Sequence, residues 1–108
     1  MRITPLAILY CGLALIATGT ASAESFVVQQ KDSHFSTERL SVKVGDTISF
    51  KNEDSYFHNV FSLSDTQMFD LGSYPQGEAK SVIFDTPGTV TIECAIHPSM
   101  QMTVEVTP

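Results

Sequence analysis

In the stretch ECAIHPSMQM near the C-terminus, a cysteine is followed three residues later by a histidine and six residues later by a methionine: Cys94, His97 and Met100. A second histidine, His58, stands upstream in YFHNV. Thiolate, imidazole and thioether are all metal donors. Two imidazoles and a thiolate in a trigonal array, with a weak and distant axial methionine, are the ligand set of blue-copper electron-transfer sites. The soft sulfurs favour Cu(I), imidazole serves both oxidation states, and a rigid frame holding one compromise geometry keeps reorganisation small. Zinc prefers four strong donors and gains little from a thioether. Taken singly, each residue has a plainer reading: a buried Cys or Met usually packs, and a lone His usually sits at the surface. Their joint spacing outweighs those readings. Asn59, next to His58, is expected to tie the two donor-bearing segments together through its amide.

The cysteine arithmetic points the same way. Residues 1–23 have the form of a removed signal peptide: basic Arg2, an apolar run from Leu6 to Ala17, and a small-x-small Ala21-Ser22-Ala23. The run is short of the roughly 20 residues that span a bilayer, so no membrane insertion is expected after cleavage. Cys11 follows bulky Leu9 and Tyr10 inside that run and is discounted as a lipid-attachment site. Cleavage leaves one small domain, residues 24–108, in which Cys94 is the sole cysteine. An unpaired cysteine in an exported chain calls for an explanation, and small domains of this kind often need a disulfide or a metal as a staple. The expected location is the periplasm or the extracellular space.

The elements that must position these donors read as strands. Period-two alternation places Phe26 and Val28, then Leu40, Val42 and Val44, then Ile48 and Phe50 on one face each. It returns at Val82 and Phe84, at Val90, Ile92 and Cys94, and at Met102, Val104 and Val106. Turn residues fall between the runs, at Gly45-Asp46, Asn52-Glu53-Asp54, Gly72, Pro75-Gln76-Gly77 and Pro87-Gly88. The pattern predicts an all-β, antiparallel Greek-key sandwich or barrel of about seven short strands. The segment from Ser64 to Tyr74 fits a strand, a helical turn or a loop equally well. Cys94 ends one predicted strand and Met102 opens the last, with His97 and Met100 on the loop between. His58 starts another strand beside the Asn52–Ser55 turn. Met102 shares parity with Val104 and Val106 and is assigned to packing, so Met100 is the expected axial donor. His34 is read as a solvated loop histidine, Met68 is given no role, and the phenylalanines at 26, 50, 57, 61, 69 and 84 are assigned to core and rim.

The segment CAIHPSM, with VGDTISFKNEDSYFHNV upstream, resembles the small cupredoxins, the group that includes plastocyanin, pseudoazurin and amicyanin. The likeness runs from Phe26 to Val106, and the compact ligand loop with proline after the histidine is most similar to that of amicyanin. It implies an eight-stranded cupredoxin-like β-sandwich and one mononuclear type I copper. The implied ligands are His58 and His97 as imidazoles, Cys94 as thiolate and Met100 as axial thioether. It also implies shuttling of single electrons between larger redox proteins. Longer-loop members place methionine five residues after the histidine, which is the position of Met102 here. Where many members have proline before the second histidine, this chain has Ile96, whose backbone N–H lies near Cys94 in sequence. The chain is short for the family, so an abbreviated N-terminal strand is expected.

After cleavage, five Lys/Arg face twelve Asp/Glu, a net charge of −7 with neutral histidines. That balance disfavours nucleic acid and anionic membranes and favours a basic docking surface on the partner, such as a c-type cytochrome or a dehydrogenase. A monomer is expected. Only His34 is left over after the site is built, too little for a second, substrate-accessible copper, so an enzyme is not expected. The competing reading is a copper-delivery module without a redox circuit.

Overall fold

The computed structural model describes residues 22–108. The predicted leader therefore lies almost wholly outside the described residues. Nine strands form: β1 (Ser25–Lys31), β2 (His34–Phe35), β3 (Arg39–Lys43), β4 (Thr47–Asn52), β5 (His58–Ser62), β6 (Phe69–Tyr74), β7 (Ala79–Ile83), β8 (Gly88–Glu93) and β9 (Gln101–Thr107). They make two sheets, ordered β2-β1-β4-β7 and β3-β9-β8-β5-β6. The protein is an all-β Greek-key sandwich, as the alternation predicts.

Two pairings depart from the antiparallel expectation: β1 runs parallel to β4, and β3 parallel to β9. Each partner is reached by a chain that crosses over rather than by a tight hairpin. The N-terminal strand of the described residues is β1. It holds seven residues and pairs with β4 from Ser25↔Thr47 to Gln30↔Asn52. The ambiguous Ser64–Tyr74 segment resolves into a loop followed by β6, which pairs with β5 across an irregularity between Asn59 and Phe61.

The inner faces carry the predicted apolar residues, with Val60 in addition. Val28, Ile48, Phe50 and Val82 come from one sheet, and Val42, Val60, Val90, Ile92, Met102, Val104 and Val106 from the other, all buried. Val44 is the exception, exposed because β3 ends at Lys43 and the chain turns at Gly45. Phe50 and Phe84 are core, Phe26 and Phe69 pack against it, and Phe57 is exposed. Tyr74 on β6 spans the sandwich. Its buried hydroxyl reaches Gln30 Oε1 on β1 and the Phe50 carbonyl on β4, each at 2.9 Å. Burial, and then the nearby Cys94, push that hydroxyl's pKa up, so it stays a donor.

Candidate metal centre

Strand parity brings the first two donors inward. His58 shares the buried face of β5 with Val60 and Ser62 and is itself fully buried. Cys94 follows directly after β8 on the face of Val90 and Ile92, and is also buried. The β5–β8 register pairs Phe61 with Glu93. Continued outward, it sets Ala95 opposite Asn59. There a side chain takes over from the ladder, and the Ala95 N–H donates to Asn59 Oδ1 at 2.8 Å. This is the tie expected of Asn59.

On the other flank, β8 and β9 pair Ile92 with Met102 and Glu93 with Gln101. One step further, Met100 falls opposite Cys94, on the same face, since directly opposed residues of an antiparallel pair point the same way. Met100 is buried, and its N–H donates to the His97 carbonyl at 2.8 Å, closing a turn that carries His97 back toward the sandwich. Met102 is committed to packing across from Ile92.

His58, Cys94 and His97 converge, with one donor atom from each lying within 4.8 Å of the others. His58 Nδ1 and His97 Nδ1 both stand 3.9 Å from Cys94 Sγ. Bond lengths of about 2.0 Å to nitrogen and about 2.3 Å to sulfur would put an angle of about 125–130° between such donors, closer to trigonal than to tetrahedral. One soft anionic sulfur and two imidazoles at that spacing fit copper. The Ile96 N–H forms no hydrogen bond to Sγ among the described residues.

Sequence reasoning passed over the residues that orient His58. Its Nε2 lies 2.7 Å from Asp54 Oδ2, both side chains being buried. Burial would raise the Asp54 pKa. Hydrogen bonds from His58, Ser33 and Asp32, with the charge of His58, outweigh it and bring the carboxyl down to about 2. A carboxylate only accepts, so Nε2 carries a proton and donates to Asp54, and Nδ1 is the ring nitrogen turned toward Cys94, the orientation a metal-bound histidine needs. Asp54 also takes the Asp32 and Ser33 N–H groups at 2.7 and 3.1 Å. Both of those turn residues have positive φ, 53° and 58°, a conformation costly for serine that these bonds offset.

The loop bearing Asp54 is organised by Asn52, fully buried at the end of β4. Its Nδ2 donates to the carbonyls of Tyr56 and Tyr74, its Oδ1 accepts from the Asp54 N–H, and its backbone pairs with Glu78 and Gly77. Tyr56 lays its ring against both imidazoles, 5.2 Å from His58 and 5.3 Å from His97. The sequence signal for these residues was the Asn-x-Asp turn just before His58, read as punctuation only. His34, exposed on β2, is not part of this cluster.

Comparison with known proteins gives the same answer. The family described as copper binding proteins, plastocyanin/azurin family, matches residues 22–107. The methylamine utilization protein MauL of Methylorubrum extorquens is 32% identical over 107 residues, covering 95% of this chain and 94% of that protein. A Cu(I) structure of an amicyanin mutant superposes with a TM-score of 0.71 at 28% identity, covering 76% of this chain and 81% of the other. A copper-containing nitrite reductase from Thermus scotoductus shares the fold, with a TM-score of 0.73 at 24% identity over 89% of this chain and 25% of that one. A fold, a preformed sulfur–imidazole cluster and a match over nearly all the described residues agree, and the chain belongs to the plastocyanin/azurin family of copper-binding proteins.

Proposed function

We propose that the chain is an exported electron carrier in which His58, Cys94, His97 and Met100 hold one copper ion. The observation that carries this reading is the pair of Nδ1 atoms, each 3.9 Å from a buried Cys94 Sγ. When bound, copper would supply a one-electron Cu(II)/Cu(I) couple for transfer between a donor and an acceptor protein. The chain's own part is to hold the donors still. Asp54 fixes the tautomer of His58, Asn59 ties the cysteine loop to β5, and the core buries Cys94 and Met100 away from water.

His97 is the donor nearest the outside, half-buried beside exposed Ile96 and against the ring of exposed Tyr56. That apolar rim is the face a partner meets. The relative named for methylamine utilization makes a methylamine-oxidising chain the first place to look for one. Delivery of copper to another protein would call for exchangeable, exposed donors, whereas His58, Cys94 and Met100 are all buried. No catalytic role is proposed.

The test takes the protein exported to the periplasm, expected to have the mass of residues 24–108. Added Cu(II) should give an intense visible thiolate-to-copper band that Cys94→Ser abolishes. A colourless wild-type protein, or an undiminished band in the variant, would overturn the assignment.

A further inference from the structure

The two imidazoles are held by different means. His58 sits inside the sandwich with its Nε2 on the Asp54 carboxylate. His97 rides on the loop between β8 and β9, and its one side-chain hydrogen-bond contact among the described residues is Nδ1 to Cys94 Sγ at 3.9 Å. No carboxylate or carbonyl fixes its other edge. What does touch the ring is aromatic. Tyr56 lies 5.3 Å away with the planes tilted by 49°, and His58 lies 4.7 Å away.

Tyr56 is itself pinned at both ends. Its carbonyl accepts from buried Asn52 Nδ2 at 2.9 Å. Its hydroxyl hydrogen-bonds Ser33 Oγ, also at 2.9 Å. Ser33 belongs to the β1–β2 turn, whose N–H groups hold Asp54. Tyr56 is 42% exposed, yet its hydroxyl is tethered to the turn that holds Asp54, and its backbone to the asparagine that organises the loop before His58.

We propose that Tyr56 is a positioning residue of the copper centre, its ring holding the His97 imidazole with Nδ1 turned toward Cys94, as the Asp54 carboxylate does for His58. The inference rests on the copper reading for its purpose, but its geometry concerns the metal-free chain. An aromatic contact of this kind shifts an equilibrium by roughly 2- to 13-fold. That is the expected change in the population of the metal-facing ring.

The experiment follows both imidazoles by NMR in the metal-free protein, then measures Cu(I) affinity by competition with a chelator. In Tyr56→Leu, the His97 ring should become averaged over rotamers while the His58 ring stays ordered and the unfolding midpoint barely moves. Cu(I) affinity should fall roughly 2- to 13-fold. Tyr56→Phe, which keeps the ring, should retain most of the His97 order. If the leucine variant does not fold, Tyr56→Met, an unbranched side chain without a planar face, carries the same outcomes. A His97 ring as ordered in either variant as in the parent overturns the proposal. Failure of the copper reading would appear separately, as a parent protein that binds no Cu(I), and would leave the ring measurement standing.

Discussion

At the scale of single residues, two methionines separated by one position have different work. Met100 lies opposite Cys94 by register and Met102 opposite Ile92. Met100→Gln should therefore change the copper spectrum and the reduction potential, with a stability cost like that at Met102 because both side chains are buried. Met102→Gln buries an amide in the apolar core and should cost about 1–3 kcal/mol while leaving the spectrum nearly unchanged. Spectra and denaturation of the two variants side by side check this, and the reverse pattern would move the axial donor to Met102. Asp54 makes a second residue-scale prediction. Its folded pKa, about 2, lies below the usual carboxylate range. The stability it contributes is thus present above about pH 4 and is lost as pH falls toward 2. Asp54→Asn in the metal-free chain should be destabilised at pH 7 by about 1–3 kcal/mol, a difference that shrinks as the pH is lowered through that window. A difference independent of pH would show that Asp54 is not bonded as described.

At the scale of elements, the centre depends on how the end of β4 is tied to its neighbours. Asn52 closes the strand, organises the loop to Phe57 and reaches across to the Tyr74 carbonyl on β6. Asn52→Ala leaves two carbonyls and one N–H without their partner in a buried setting, and each such loss costs about 1–3 kcal/mol. The expected outcome is destabilisation of at least about 3 kcal/mol, with weaker copper binding, because Asp54 and Tyr56 both lose their anchor. Urea unfolding of the metal-free variant and a copper titration measure the two effects. Loss of stability with unaltered copper binding would show that the loop keeps its shape without Asn52.

At the scale of the whole molecule, acidic residues exceed basic ones among the described residues, while exposed Ile96 and the Tyr56 ring flank His97. Charge of one sign steers a partner of the other and is screened by salt, whereas apolar contact is not. Association with a basic cytochrome should weaken as ionic strength rises from low to physiological values, mainly through the association rate. Stopped-flow electron transfer across a salt series reads this. A rate that does not depend on salt, or one that rises with it, would count against a basic partner.

The alternation of Val90, Ile92 and Cys94 and of Met102, Val104 and Val106 was legible because a strand's two faces depend only on local parity. The donors were legible because CxxHxxM on one loop is a local pattern, and Asn59 because it adjoins His58. Strand count and pairing were less so. The two-residue β2 and the parallel β1·β4 and β3·β9 pairings depend on partners distant in the chain. Least legible were Asp54, Asn52 and Tyr56, which in sequence are an ordinary polar turn and an aromatic. Their roles arise only when the β1–β2 turn, 22 residues upstream of Asp54, and β6, 22 residues downstream of Asn52, close around the loop. The sequence by itself determined which atoms can bind a metal and which strand faces bear them. The tertiary structure decided which nitrogen of His58 faces the sulfur and what holds each ring, because a hydrogen bond forms between groups that folding brings together, not between neighbours in the chain.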